Sequence, residues 1–214
     1  MKHTDNVLIF DFDGTIADTF ATSIRIFEKM TKKKPYKPEE IERLRGLTGL
    51  QLIRELRIRP WLVPFMLARG RAMMRRKMKD IDIFPGVEKV IRELHKDGVP
   101  LYIMSSNSPG NIRKFLQDQG MDQYFIRVYG NIGLFGKSAM LRRVMRQNGF
   151  SPDQVTYIGD ESRDVEAAKH VGVRIVSVDW GFNSASLLAR HNPDVIVHTP
   201  AELERALRNN RLGG

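Results

Sequence analysis

Short apolar runs recur along this chain, and from residue 101 onward helix-like stretches separate them. Each run has the length of one buried strand, and most end at a polar or glycine-containing turn. The runs cover residues 7–10, 101–104, 125–129, 155–158, 173–178 and 195–197. Strands that alternate with helices of this length are typical of βαβ units on a parallel sheet. We therefore predict an α/β fold with a Rossmann-like, mostly parallel sheet flanked by helices.

Residues 16–82 break this alternation. They show helical periodicity only, and prolines and glycines punctuate them. Because no strand pattern lies inside this stretch, the periodicity predicts an all-helical insert. We predict a catalytic core of residues 1–15 and 83–214, with residues 16–82 inserted after the first strand as a helical cap. Two aromatic residues of the insert, Trp61 and Phe65, are assigned to the core of the cap.

The composition excludes several classes of protein. Hydrophobic residues are 42% and charged residues 28% of the 214 residues, which excludes disorder along the whole chain. The chain has no Cys, so disulfides, thiolate nucleophiles and Cys metal sites are excluded. No apolar run has the length of a membrane span, and the first apolar run is too short for a signal peptide. We expect a cytoplasmic protein.

The formal net charge is +10, which raises the question of an anionic partner. Basic residues cluster at positions 32–34, 69–79 and 142–146. No aromatic interleaving accompanies them, and no zinc-finger, basic-zipper or RNP-like pattern is present. Nucleic acid is therefore not expected as the main partner, and neither is a membrane. A monomer and a dimer are both compatible with the sequence.

Two pairs of carboxylates follow two of the apolar runs. Asp11 and Asp13 come directly after the first run, and Asp160 and Asp164 follow residues 155–158. In an open α/β sheet, ligands bind beyond the carboxyl ends of the strands, so these side chains are expected at one edge. Such a cluster is costly unless a hard cation neutralises it, and oxygen ligands select Mg²⁺ or a similar ion. The sequence therefore predicts a magnesium site.

Two further elements suit the binding of phosphate. The run at residues 101–104 is followed by Ser106 and Asn107, which offer hydroxyl and amide donors. Lys137 stands where a new helix is expected to begin, after the glycine-flanked residues 133–136. An ammonium beside a helix N-terminus is a favourable place for a phosphate group.

In this order, the motifs resemble those of the haloacid dehalogenase superfamily of aspartate-nucleophile hydrolases, over nearly the whole chain. Residues 11–15 match the first motif, Ser106 with Asn107 the second, Lys137 the third, and Gly159-Asp160 with Asp164 the fourth. Residues 45–49 and 178–183, together with residues 193–197 and 200–203 near the end, are similar to the phosphoglycolate-phosphatase-like branch. One departure is Ser138, where Pro is frequent; it affects the start of the helix and not the charge of the preceding lysine.

The proposed chemistry is phosphoryl transfer to a carboxylate. Asp11 would attack phosphorus and form an aspartyl-phosphate, while Asp13 would protonate the leaving alkoxide and later activate water. Ser106, Asn107 and Lys137 would hold the phosphoryl oxygens. The resemblance further implies that Asp13 offers its backbone carbonyl to the metal. It also implies that Asp164 binds the metal directly or through water, or orients the lysine.

The resemblance also directs the loop at residues 45–49 towards the active site. On that basis Arg45 and Thr48 are candidate contacts to the substrate. A helix–helix turn without ligand contact is the alternative for this loop.

Several functions share these motifs. The favoured one is a Mg²⁺-dependent phosphatase acting on a small phosphate monoester, with phosphoglycolate as the favourite by resemblance. A phosphomutase of the β-phosphoglucomutase type is one alternative. A nucleotide phosphatase is another, and the net charge of +10 is the only feature that supports it. Asp13 argues against a dehalogenase, because a halide leaving group needs no proton. A non-catalytic binding or regulatory protein is the alternative from another class, although both Asp11 and Asp13 are intact.

Overall fold

A six-stranded parallel sheet forms the centre of the protein, in a computed structural model that describes residues 6–133 and 136–209. The strands are β1 (Val7–Phe10), β2 (Leu101–Met104), β3 (Arg127–Tyr129), β4 (Val155–Gly159), β5 (Arg174–Val178) and β6 (Val195–Val197). Their order in the sheet is β3-β2-β1-β4-β5-β6, and every neighbouring pair is parallel. The strand order reverses at β1, the position where open α/β sheets bind ligands. The predicted α/β class is confirmed.

In the described residues, the first four α-helices form the insert after β1 and the next six cover the two faces of the sheet. They are α1 (Phe20–Thr31), α2 (Pro38–Arg45), α3 (Gly49–Glu55), α4 (Val63–Arg75), α5 (Val87–Lys96), α6 (Pro109–Asp118), α7 (Lys137–Asn148), α8 (Ser162–Val171), α9 (Ala185–Arg190) and α10 (Pro200–Asn209). Leu8 and Phe10 pack with buried residues of α5, α6 and α10 on one face. Val7 and Ile9 pack with α7, α8 and α9 on the other, as the two-residue period of a strand requires.

The segment between β1 and α5 contains α1 to α4 and no strand longer than an isolated bridge. The two chain connections between this segment and the sheet run side by side. The Asp18 N–H donates to the Asp82 carbonyl at 2.9 Å, and the Phe84 N–H donates to the Ile16 carbonyl at 3.0 Å. The helical content agrees with the sequence pattern, and the division into a core and a separate cap stays a prediction.

Two aromatic residues of this helical insert lie where the sequence did not place them. Trp61 is 70% exposed and Phe65 is 63% exposed, so the assignment of both to the core of the cap is wrong. For Phe65 the reason is that α4 packs on α1 with another face, which carries the buried Met74. Trp61 precedes α4 and lies in a short 3-10 turn without any buried residue. A helical apolar period can only predict that some face is buried, and here Phe65 lies outside that face while Trp61 lies outside the helix.

Among the described residues, no helix has both the length and the apolar character needed to cross a membrane.

Candidate active site

The predicted carboxylates meet at the carboxyl ends of β1 and β4, which are neighbours in the sheet. Phe10 pairs in register with Ile158, and the Asp11 N–H donates to the Ile158 carbonyl at 2.7 Å. Asp11 directly follows Phe10 and Asp160 is two residues beyond Ile158, so both leave the sheet at the same edge. Both are buried. The pairing of two strands that are 148 residues apart in the chain, Val7 with Val155, creates this site.

Lys137 forms the centre of the charge network. Its Nζ donates to Oδ2 of Asp11 at 2.6 Å and also to Oδ1 of Asp164. All three side chains are buried. Burial by itself would lower the pKa of Lys137, but the carboxylates of Asp11 and Asp164 raise it above its ordinary value. The lysine therefore stays an ammonium, and it joins the first, third and fourth motifs in one ion cluster.

Asp13 has different surroundings from Asp11. The Asn107 Nδ2 donates to its Oδ1 at 3.2 Å, and the Ser105 hydroxyl lies 3.4 Å from its Oδ2. Burial, followed by the negative charge of Asp11, raises the pKa of Asp13 from 3.8 to about 6. Asp11 accepts instead from the Lys137 ammonium and from the Phe12 N–H at 2.7 Å. The two carboxyl groups of this motif are thus suited to different roles, one as a carboxylate and one as a carrier of a proton.

Asp160 is held by donors from two loops. Its Oδ1 accepts from the Thr15 hydroxyl at 2.9 Å, and its Oδ2 accepts from the Phe182 N–H at 2.7 Å. A Cβ atom on Gly14 or on Gly181 would lie 2.2 Å from Oδ2, so both loops can approach the carboxylate only because they carry glycine. Burial, then the nearby carboxylates, raises the pKa of Asp160 well above its ordinary range.

Three carboxylates converge closely enough to hold one cation. One oxygen each from Asp11, Glu161 and Asp164 lies within 4.8 Å of the other two. Asp160 is next to this group and is turned towards Thr15 and Phe182. Carboxylate oxygens this close repel one another, and oxygen donors are the ligands that a hard divalent cation prefers, so these residues fit a metal.

A cavity of about 380 Å³ lies against this edge. Asp13, Ser106 and Asn107 line it from the sheet, and Arg45 lines it from the insert, together with many apolar residues of α1 to α4. Thr48, the other predicted substrate contact, does not line this cavity. It accepts from the Gln51 N–H at the start of α3 and lines a second cavity of about 180 Å³, which Lys137 also lines.

The loop at residues 45–49 touches the core through Asn183. The Asn183 Nδ2 lies 3.4 Å from the carbonyls of Arg45 and Leu47, and its Oδ1 accepts from the Ser162 N–H at 2.8 Å. An Arg45 guanidinium nitrogen, Nη2, donates to the Asp179 carbonyl at 2.8 Å, whereas its Nε is buried without a partner among the described residues. The loop therefore contacts the active-site edge of the sheet, in the direction the resemblance implied.

Sequence reasoning did not assign a role to several residues that the structure brings to the site. Ser105 is buried beside Asp13, Glu161 belongs to the carboxylate cluster, and Arg163 pairs with Glu161 at 2.9 Å. Each lies next to a motif residue, so proximity in the chain was the available signal. Asn183 ends the segment 178–183, whose resemblance to the family was the available signal, but its contacts to the carbonyls of Arg45 and Leu47 depend on the packing of the insert against the core.

The fold and the site together define a class of protein. The sequence profile of the haloacid dehalogenase-like hydrolases matches residues 8–178, and the chain belongs to this family. Solved structures of the same fold include a haloacid dehalogenase-like family protein from Streptococcus pneumoniae, with TM-score 0.76 and 21% identity over 95% of this chain and 99% of that one. Another is a predicted phosphatase from Clostridium acetobutylicum, with TM-score 0.79 and 20% identity over 95% and 98%.

Proteins related in sequence indicate which kind of hydrolase this family member is. The chain is 34% identical to a phosphoglycolate phosphatase of Synechococcus elongatus over 203 residues, which are 94% of this chain and 96% of the relative. It is 25% identical to a phosphoglycolate phosphatase of Pseudomonas fluorescens over 89% of this chain and 75% of that one. The family and these relatives make the protein a phosphoric monoester hydrolase.

Proposed function

We propose that this protein is a Mg²⁺-dependent phosphatase that hydrolyses a small phosphate monoester through an aspartyl-phosphate. The observation that carries the proposal is the contrast between two carboxyl groups of one motif. The carboxylate of Asp11 is held by an ammonium and an N–H, whereas the pKa of Asp13 is raised to about 6 by burial and by Asp11. A nucleophile and a proton donor two residues apart are what hydrolysis of an ester with a poor leaving group needs.

In the proposed reaction, an oxygen of Asp11 forms a bond to phosphorus while the bond from phosphorus to the ester oxygen breaks. The leaving oxygen takes its proton from Asp13. Water then attacks the phosphorus of the aspartyl-phosphate and gives a proton back to Asp13, which releases phosphate and restores both side chains. Ser106, Asn107 and Lys137 are proposed to hold the phosphoryl oxygens in both steps.

The metal would be held by the carboxylates that converge at the same edge. Asp11, Glu161 and Asp164 support this placement by their mutual proximity, and the backbone carbonyl of Asp13 and the side chain of Asp160 are proposed as further ligands. When bound, Mg²⁺ would screen the repulsion between the anionic nucleophile and the phosphate dianion.

The proposed substrate is phosphoglycolate, which is supported by the names of the relatives. Arg45 is the proposed partner for the substrate carboxylate, because it lines the same cavity as Asp13 and has an unpartnered buried Nε. Residues 16–82 are proposed to form a cap over the site, and Thr48 stays a proposed contact on that cap. A cytoplasmic location is proposed because a chain without Cys suits a reducing compartment.

The test is the release of inorganic phosphate from a panel of monoesters in the presence of Mg²⁺. The panel contains phosphoglycolate, β-glucose 1-phosphate, nucleoside monophosphates and 5′-phosphorylated oligonucleotides. We expect the highest kcat/KM with phosphoglycolate, and Asp11→Asn should lower it by several orders of magnitude while the fold is kept. Isomerisation of the sugar phosphate without net phosphate release would instead assign a phosphomutase, and no turnover of any ester would overturn the proposal.

A further inference from the structure

The positive charge of this protein is concentrated in the helical insert. Residues 16–82 contain 17 Lys and Arg against 8 Asp and Glu, whereas the remainder of the chain contains 18 against 17. Within the insert, residues 56–79 contain eight Lys and Arg and not one Asp or Glu. The net charge of +10 therefore comes almost entirely from residues 16–82, and the remainder of the chain is close to neutral.

An exposed apolar patch lies inside this acid-free stretch. Trp61 is 70% exposed, Phe65 is 63% exposed and Leu62 is 42% exposed. Trp61 and Leu62 belong to a short 3-10 turn over Pro60–Leu62, and Phe65 follows in the first turn of α4. None of the three lines the cavity that contains Asp13, so the proposed chemistry does not use them. Soluble domains rarely expose a cluster of large apolar side chains without a binding partner.

Arginines surround the patch. The Arg59 guanidinium lies 5.7 Å from the centroid of the Trp61 ring, and Arg57 and Arg69 are also exposed. Arg69 is one turn beyond Phe65 in α4, so it extends the same stripe of the helix. The result is a surface where apolar rings and guanidinium groups alternate. We call the surface formed by Arg57, Arg59, Trp61, Leu62, Phe65 and Arg69 the aromatic–basic patch.

We propose that the aromatic–basic patch is a docking site for the surface of an anionic lipid bilayer. Trp and Phe side chains enter the boundary between headgroups and acyl chains, and Arg side chains remain at the level of the lipid phosphates. Each basic residue near an anionic bilayer adds to the attraction, and residues 56–79 contain eight of them, of which Lys77 pairs with Asp80 just beyond the stretch. This inference reverses the expectation from sequence, which assigned both aromatic rings to a core and expected no membrane partner.

Two other occupants fit the patch less well. A second copy of this chain would place one strongly positive patch against another across a symmetric interface, and like charges would oppose that contact. A single-stranded nucleic acid would stack on Trp61 and Phe65, but the aliphatic Leu62 offers no stacking surface and would stay exposed. A bilayer boundary accommodates the aliphatic side chain as well as the aromatic rings.

The test is co-sedimentation of the full chain with vesicles, read together with tryptophan fluorescence. Trp61 is the exposed member of the chain's two tryptophans, since Trp180 is partly buried and donates to the Thr15 carbonyl at 3.3 Å. We expect binding to vesicles of equal parts phosphatidylcholine and phosphatidylglycerol, a blue shift of the emission, and no binding to phosphatidylcholine alone. Raised salt should release the protein.

Matched variants distinguish vesicle binding through the aromatic–basic patch from non-specific binding by other parts of the surface. The double variant Trp61→Ala with Phe65→Ala should weaken vesicle binding by about tenfold or more. The double variant Arg59→Ser with Arg69→Ser should weaken it by a factor that shrinks as salt is raised. Ile126→Ala is the control, because Ile126 is 61% exposed on the core next to β3, and it should bind as the wild type does. Phosphate release by all of these variants should stay within about twofold of wild type.

Three outcomes would overturn the proposal. One is vesicle binding that the aromatic double variant leaves unchanged. Another is no binding to anionic vesicles together with binding to an oligonucleotide, which would assign the patch to nucleic acid. The third is self-association of the wild type that Trp61→Ala abolishes without any affinity for vesicles, which would assign it to a second copy. Phosphatase activity is a separate measurement, so loss of the proposed function would not be confused with loss of docking.

Discussion

The ammonium of Lys137 lies 2.6 Å from the Asp11 carboxylate and donates to Asp164 as well, so one buried cation serves two buried anions. Removing it would leave both carboxylates without their counter-ion. We expect Lys137→Met to lower the free energy of unfolding by about 3–5 kcal/mol in metal-free protein, as for other broken buried ion pairs. Urea denaturation followed by circular dichroism measures this change.

A surface ion pair provides the control for that variant. Lys114 pairs with Asp118 at 3.0 Å on the exposed side of α6. Lys114→Met should leave the free energy of unfolding almost unchanged, because exposed pairs contribute little. Equal losses from Lys137→Met and Lys114→Met would show that the buried lysine does not hold the cluster together.

The raised pKa of Asp13 predicts how stability depends on pH in the absence of metal. The pKa is 3.8 for an ordinary Asp and about 6 in the folded protein, where burial and Asp11 disfavour the charged form. Between these values the folded state holds a proton that the unfolded chain has lost, so stability falls as pH rises through this window. Asp13→Asn removes this contribution. The variant should match wild type near pH 4 and become more stable than wild type towards pH 7, in thermal unfolding with a chelator present.

A leaving-group series tests the role of Asp13 in turnover. If Asp13 donates a proton to the leaving oxygen, Asp13→Asn should slow alkyl phosphates much more than aryl phosphates, since an aryl oxide needs less protonation. The measurement is kcat/KM for a pair of esters in both proteins. Equal losses for the two esters would assign Asp13 to the metal site alone.

The contacts of Arg45 predict a selective effect on binding. Arg45→Ala should raise KM for phosphoglycolate more than for an uncharged monoester, because only the former has a carboxylate for the guanidinium to bind. Arg43 is the control; it lies on the same helix in an exposed pair with Glu55 at 2.6 Å, and Arg43→Ala should change neither KM. A rise of equal size for both esters in Arg45→Ala would mean that Arg45 only fixes the insert to Asp179.

Exchange of the metal tests the carboxylate cluster. Chelation should abolish phosphate release, and Mg²⁺ should restore it. Ca²⁺ prefers 6–8 oxygen ligands at longer distances, so it should bind the same carboxylates, fail to support turnover and compete with Mg²⁺. Full activity after exhaustive chelation, or turnover with Ca²⁺ equal to that with Mg²⁺, would contradict a metal held beside the nucleophile.

The fold class and the principal motif residues could be predicted from the sequence because they depend on local patterns. Short apolar runs that end in carboxylates specify buried strands with polar ends, and the parallel rule then brings Asp11 and Asp160 to one edge. The helix start at Lys137 could also be predicted from the local sequence, because the lysine follows Gly136. Two residues of the segment that precedes it, Leu134 and Phe135, lie outside the described part of the chain.

Only the tertiary structure decided features that depend on which surfaces meet. Distances across the sheet place Lys137 between Asp11 and Asp164 and bring Glu161 close to the same two carboxylates. Burial raises the pKa of Asp13. The exposure of Phe65 follows from the face that α4 turns towards α1, and Trp61 is exposed in the 3-10 turn before that helix. A helical period shows that a face is apolar, but the packing partner determines whether that face is buried, and the partner is not encoded in the local pattern.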